Sequence, residues 1–206
     1  KYIDFVLYKI LKTIYLNFSD PIYKKLPVKH SSCFFSLNQF LKKTKNQEYD
    51  FFLTAGSLLG SIRQESFAGR PTDIDLGMLS IKADKFLKNL ENINKKGISR
   101  IDKFYDDENF LSRFQILVFG EIIDISIFRP CIIDNKNLWK GEYNENNHKN
   151  KKYTFIDYES LINLEKTKLY GSEYLCPSNP EMYLEEKFGR DWKIPDKKQF
   201  MWKKKF

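Results

Sequence analysis

The chain is poor in the residues that build metal cages and covalent cross-links. Of its 206 residues only three are cysteine and two are histidine. Cys33, Cys131 and Cys176 lie far apart, are odd in number and form no Cys-x-x-Cys pair. Neither a zinc knuckle nor a disulfide framework is therefore expected, which favours a reducing compartment. His30 and His148 stand alone, without metal-ligand spacing, and read as surface residues. Nine glycines and seven prolines are too few for a low-complexity or collagen-like chain. No internal repeat occurs, and no apolar run reaches the roughly 20 residues that a membrane-spanning helix needs.

Hydrophobic residues make up 42% of the chain and aromatic residues 16%, a composition that buries a core rather than one that stays disordered. The length suits one domain spanning 1–206, with residues 1–48 as a helical extension packed on it. The net charge of +8 is concentrated in lysine runs at Lys42–Lys45, Lys149–Lys152 and Lys203–Lys205. Such runs attract polyanions, but a solvated face of a lysine-rich chain is the preferred explanation. No base-reading motif interleaves with them, so no nucleic-acid partner is expected.

Periodicity orders the rest. In residues 1–18, Ile3, Val6, Leu7, Ile10, Leu11 and Ile14 recur at helical steps beside Lys1, Lys9 and Lys12. This stripe packs on the core or lies on a membrane surface as a peripheral contact. Asp20-Pro21 ends it, and a second helix is expected over Leu37–Lys43 with Ser36 as its cap. Phe51-Phe52-Leu53 reads as a short buried strand, followed by a helix over Ser57–Gln64 and another over Lys82–Lys95 closed by Gly97. Strands are expected at Ile98–Tyr105, Phe110–Phe119 and Glu121–Phe128, the last two joined by a hairpin at Gly120. Residues 135–152, rich in Asn and Lys, read as a loop that would serve as a lid or acceptor contact. A hairpin around Tyr170-Gly171-Ser172 precedes a helix opened by Ser178-Asn179-Pro180-Glu181, with Ser178 as its cap, and ended by Gly189.

The informative stretch is AGSLLGSIRQESFAGRPTDIDLGML, from Ala55 to Leu79. On a strand, Asp73 and Asp75 point to the same side, and two adjacent carboxylates call for a cation between them, Mg²⁺ above all or Mn²⁺ in its place. Upstream, Gly56-Ser57 forms a turn into a helix whose free N–H groups suit a phosphate. Gly60 and Arg63 continue the same turn-and-helix block. Asp124 sits alone in the apolar run Glu121–Phe128, where a buried carboxylate needs a cation or a strong donor. A sheet-edge aspartate paired with Arg113 or Arg129 would account for Asp124 as well. A phosphate cradle with metal carboxylates is the equipment of phosphoryl or nucleotidyl transfer.

These blocks resemble the LicD/fukutin family of the nucleotidyltransferase-fold superfamily. The shared pattern is Gly56-Ser57-Leu58-Leu59-Gly60-Ser61-Ile62-Arg63, then Asp73-Ile74-Asp75-Leu76-Gly77, then Asp124 on a later strand. A distal block from Tyr183 to Pro195 also matches, and the surroundings of Trp139-Lys140-Gly141 and Trp202-Lys203 resemble the fukutin branch. Many bacterial members carry Trp-Asp-Asp where this chain has Arg70-Pro71-Thr72, a departure at the site. The resemblance implies an α+β fold, a nucleotidyltransferase-like mixed sheet flanked by helices. It further implies metal-dependent transfer of a phosphate-linked alcohol from a CDP-activated donor to a glycan hydroxyl. Ribitol phosphate and glycerol phosphate are the leading groups, with choline phosphate behind them. Asp73, Asp75 and Asp124 would be the metal-binding and catalytic set, and Gly56, Ser57, Gly60 and Arg63 the donor-binding set. Such an enzyme would build surface polysaccharide such as capsule from the cytoplasm; a lumenal role would require an anchor upstream of Lys1. The same carboxylates would serve a nucleotidyltransferase acting on another small substrate or an RNA end, and a degenerate glycan-binding member is the non-enzymatic alternative.

Overall fold

The computed structural model describes residues 26–44, 48–90, 97–144 and 152–195. The expected amphipathic helix at 1–18, the membrane contact drawn from it, His148 and the Lys203–Lys205 run lie outside the described residues. Helix α1 (Val28–Thr44) leads to strand β1 (Phe52–Leu53), helix α2 (Ala55–Gln64), strand β2 (Asp73–Leu79) and helix α3 (Ser80–Leu90). Strands β3 (Ile98–Tyr105), β4 (Leu111–Val118), β5 (Glu121–Ile133), β6 (Lys136–Asn144) and β7 (Lys152–Asp157) follow. The short helix α4 (Tyr158–Ile162), strands β8 (Glu165–Leu169) and β9 (Ser172–Cys176), helix α5 (Pro180–Phe188) and a 3₁₀ turn at Arg190–Lys193 complete the described chain.

The strands form one mixed sheet in the order β3-β4-β5-β2-β1-β9-β8, with β6 and β7 extending the far end of β5. The β2–β5 and β1–β9 pairs are parallel; the remaining pairs are antiparallel. This is the expected α+β sheet flanked by helices. Strand β4 alternates strictly, with Ser112, Phe114, Ile116 and Val118 buried and Leu111, Arg113, Gln115 and Leu117 half-buried, so only one face is sealed. Ile74, Leu76 and Met78 of β2 and Ile123, Ile125 and Ile127 of β5 are buried in the same core. Helices α1 and α3 close that face through an aromatic cluster: Phe40, Phe51 and Phe86 meet edge-on or tilted, and Phe86 stacks on Phe114 at 5.6 Å. Helix α1 is pinned at the start of β5, where buried Glu121 takes an ion pair from Lys29 and a hydrogen bond from Ser32.

Several elements differ from expectation. Helix α1 starts at Val28, nine residues' depth before its expected beginning at Leu37, so Ser36 is a fully buried residue inside the helix rather than its cap. The serines at 31 and 32 lower helix propensity, and tertiary burial overrides it. Helix α3 is described over Ser80–Leu90, and the remainder of the expected Lys82–Lys95 span lies outside the described residues. Of the stretch read as a loop at 135–152, the described residues are strand from Lys136 to Asn144 and again at Lys152. Asp134 and Asn135 both have positive φ, 49° and 60°, which makes a two-residue turn joining β5 to β6. Trp139 then anchors β6 by stacking on Tyr158 at 5.1 Å and donating its indole N–H to the Tyr158 carbonyl. The cap of α5 is Asn179, whose side chain accepts from the Met182 N–H, rather than Ser178; Pro180 opens the helix and Gly189 closes it as expected.

All three cysteines are free thiols. Cys33 and Cys176 are buried, and burial pushes the Cys176 thiol up to about 11; Cys131 is half-buried. Because the thiolate is the nucleophile, native protein at pH 8 should give one Ellman-reactive cysteine, Cys131, and three after denaturation. Raising the pH toward 10 should speed Cys131 and leave Cys176 slow. Rapid labelling of Cys33 or Cys176 in the folded protein would contradict the packing.

A candidate active site on the open face of the sheet

Asp75 and Asp124 stand opposite one another. The parallel β2–β5 register aligns Asp73 with Ile122 and Asp75 with Asp124. Neighbouring strands run about 4.8 Å apart and alternate residues about 6.6 Å, so Asp73, Asp75 and Asp124 occupy one patch of the unsealed face. The alternation that buries Ile74, Leu76, Ile123 and Ile125 turns all three carboxylates the other way. Asp124 lies on an inner strand between β4 and β2, not on a sheet edge. Among the described residues no three acidic, histidine or cysteine side chains converge on a point, so the patch is an open array and not a closed cage. Its chemistry still fits a hard divalent cation, since all its donors are carboxylate oxygens.

The Gly-Ser turn lies against the same patch. Thr54 is extended and Ala55 takes φ +39°, a left-handed conformation unusual without glycine, before the helix begins. The Ala55 N–H is held by the Tyr183 hydroxyl at 2.8 Å. The Ser57 N–H donates to Asp75 Oδ2 at 3.2 Å, and the Asp75 N–H donates to Ser57 Oγ at 2.9 Å. Ser57 thus locks the helix start to the aspartate strand through two reciprocal bonds. A Cβ on Gly56 would stand 3.0 Å from Asp75 Oδ2, so this glycine lets the turn approach the carboxylate. Gly60 is buried away from the patch, where a Cβ would fall 2.2 Å from the Ser66 carbonyl and 2.3 Å from the Ala68 nitrogen. It sets the packing of the loop that returns to β2. Arg63 lines a groove of about 460 Å³ with Leu59, Phe188, Asp191, Trp192, Ile194 and Pro195. Gly56, Leu59 and Arg63 follow one stripe of α2, which places the arginine about 10 Å along the axis from the turn.

The loop before Asp73 is tied down by residues of distant sequence. His30 bonds the Tyr170 hydroxyl through Nδ1 and the Gly69 carbonyl through Nε2, each at 2.5 Å. The Phe67 N–H donates to the same hydroxyl, and the Tyr170 N–H donates to the Glu65 carbonyl. Burial pushes the Tyr170 phenol up. His30 is a half-buried brace and not the free surface residue expected of an isolated histidine.

Two residues beside Asp124 carry more than the sequence reading gave them. Gln115 donates from Nε2 to Asp124 Oδ2 at 2.8 Å, and Arg113 reaches the same oxygen at 3.4 Å while its guanidinium lies 4.4 Å from the centre of the Phe104 ring. Arg129, the other candidate partner, pairs instead with buried Asp106 and with Glu108. Gln115 was legible: Phe119 and Gly120, with φ of 48° and 81°, make a two-residue turn, and counting back from Val118 opposite Glu121 sets Gln115 opposite Asp124.

A family model for the LicD/FKTN/FKRP nucleotidyltransferase domain matches residues 48–179. The chain belongs to the LicD family. It is a transferase with a nucleotidyltransferase-like fold. A search of curated proteins finds no match to it. Among solved structures, the lincosamide antibiotic adenylyltransferase LnuA bound to lincomycin is 16% identical, covers 80% of this chain and 90% of its own, and superposes with a TM-score of 0.47. ANT(2")-Ia in complex with adenylyl-2"-tobramycin is 13% identical, with coverages of 77% and 76% and a TM-score of 0.44. These are likenesses of outline, from which nothing about substrate follows. Other residues of the family pattern are explained by packing: Gly141 gives way to the Phe128 ring, Trp192 is 7% exposed, and Lys193 pairs with Glu181 at 2.8 Å.

Replacing Gly60 by alanine should destabilise the protein by roughly 1–3 kcal/mol, because the contacts are backbone atoms that cannot swing aside. Urea unfolding of Gly60→Ala measures this; an unchanged midpoint would remove the packing role.

Proposed function

We propose that this LicD-family protein transfers a phosphate-linked alcohol from a CDP-activated donor to a hydroxyl of a glycan. The observation that carries the proposal is the register of Asp75 against Asp124 beside the Gly56-Ser57 turn. Three carboxylates that repel one another are tolerable where a divalent cation is a working part. In this reading Asp73, Asp75 and Asp124 hold Mg²⁺ or Mn²⁺, which when bound neutralises charge on the donor diphosphate.

The chain's own residues do the rest. The Ala55 and Ser57 N–H groups are engaged by Tyr183 and Asp75, so it is the Gly56 N–H that faces the donor phosphate at this helix start, where negative charge is favoured. Ser57 fixes the spacing between that turn and Asp75 through its two bonds. The acceptor hydroxyl attacks the phosphorus next to the transferred alcohol, its oxygen forms the new phosphate ester, the bond to the bridging oxygen breaks, and CMP leaves, its phosphate taking up the proton that the hydroxyl gives up. Asp124 acts as a metal ligand and not as the base. Ribitol phosphate and glycerol phosphate are the preferred groups. The groove of Leu59, Arg63, Asp191 and Trp192 is where the acceptor would lie, an aromatic and charged lining suited to a hydroxyl-rich chain. No described helix is long and apolar enough to cross a membrane. Work on a soluble CDP donor, at the cytoplasmic start of surface-polysaccharide assembly, fits this reading.

A thermal-shift panel of CDP-ribitol, CDP-glycerol, CDP-choline, CDP and UDP-sugars, each with and without Mg²⁺, tests it. A ligand at about 100 times its dissociation constant stabilises by roughly 2.7 kcal/mol, a shift of several degrees. A Mg²⁺-dependent shift with one CDP-alcohol is expected. Silence from every CDP compound at millimolar concentration would reject the donor class. Asp75→Ala should abolish turnover while the protein remains folded. A variant that is more stable and equally active would mean that the carboxylates merely repel.

A further inference from the structure

We infer that Arg113 is a phosphate-binding residue of this site, released from Asp124 to the diphosphate of the donor; the inference rests on the transferase reading above. Both Arg113 and Gln115 lie on the unsealed face of β4 and point at one oxygen of Asp124. The two contacts are unequal. Gln115 holds Oδ2 at 2.8 Å, a full hydrogen bond, whereas Arg113 stands at 3.4 Å, well beyond the roughly 2.7–2.9 Å of a charge-assisted bond. Gln115 is thus sufficient to orient Asp124, and the arginine is loosely engaged.

What holds Arg113 over the patch is the aromatic ring of Phe104, 4.4 Å from the guanidinium carbon. In-register pairing of Phe104 with Arg113 across β3 and β4 keeps the ring under the guanidinium. The side chain is 31% exposed, and of the five N–H donors of a guanidinium one is directed to Asp124. That exposure leaves the guanidinium within reach of a ligand from solvent. A planar, permanently charged fork with spare donors matches the paired oxygens of a phosphate, which an ammonium group does not. Engagement of Asp124 by a divalent cation would weaken its hold on Arg113 further, since the cation is then the dominant local charge. Arg113 sits one strand beyond Asp124, about 9–10 Å across the sheet from β2. Its guanidinium lies between the Phe104 ring on β3 and Asp124 on β5.

Titration calorimetry with Mn²⁺ alone, then with CDP at saturating Mn²⁺, separates this role from simple support of Asp124. Wild type, Arg113→Ala, Arg113→Lys and Gln115→Ala are compared, each checked for an unchanged unfolding midpoint. Arg113→Ala should leave Mn²⁺ affinity unchanged or stronger and weaken CDP binding about ten- to hundredfold, as loss of a charge-assisted contact does. Arg113→Lys should restore part of the CDP affinity, and Gln115→Ala should instead weaken Mn²⁺ binding. If Arg113→Ala weakens Mn²⁺ and leaves CDP affinity intact, Arg113 only positions Asp124 and the inference is wrong. Wild-type protein that binds Mn²⁺ but no CDP would overturn the donor reading itself, and this inference with it.

Discussion

Like charges directly opposite on neighbouring strands repel, and the β2–β5 pairing sets Asp75 against Asp124 with no freedom to part them. Everything around the pair answers that repulsion. Gln115 and Arg113 approach Asp124 from β4, and the Ser57 N–H approaches Asp75 from α2. On the opposite face, the isoleucines and phenylalanines that hold the strands in register are fully buried. A hydrophobic core of this kind supplies the stability that an uncompensated acidic patch consumes, and the patch is retained where chemistry requires it.

How far the sequence discloses this arrangement depends on the range of the interaction. The turn, the helix after it and the Asp-Ile-Asp strand are local, and period-two and period-3.6 patterns place them within a residue or two. The hairpin at Phe119-Gly120 is local as well, so the partner of Asp124 on β4 follows by counting. The β2–β5 register is not local: the two aspartates are joined through α3, β3 and β4, and no pattern within either strand announces their parallel pairing. The brace of His30 and Tyr170, 140 positions apart, is beyond any local signal. The strand pair β6–β7 was hidden for another reason. Asn and Lys are common in loops, and the large buried anchor Trp139 shows its role only beside Tyr158.

The site is therefore a composite of one rigid part and one adjustable part. The β2–β5 carboxylates and the Gly-Ser turn are coupled by backbone bonds, which fixes their geometry before any ligand arrives. The arginine of β4 and the groove at α2 and α5 depend on side chains, which can be exchanged with little cost to the fold. Members of a family that share a reaction and differ in the group they move would vary in the second part and keep the first.

The two registers that meet at Asp124 are set independently, and this makes the Phe119-Gly120 turn a tuning element. The parallel register of β5 with β2 is held by the core, while the antiparallel register with β4 is held by the length of a two-residue turn. Because side chains alternate, a one-residue slip of β4 against β5 would carry Gln115 and Arg113 to the far side of the sheet and draw Phe114, Ile116 and Val118 out of the core, while Asp75 and Asp124 remained opposite one another. Chain length between Leu90 and Ile98 has no such leverage, since it lies in the connection from α3 to β3 and adjoins neither pairing. Insertions along this chain thus differ in consequence: beside Gly120 they act on Asp124 through its β4 neighbours, and near Ser57 they act on the turn tied to Asp75.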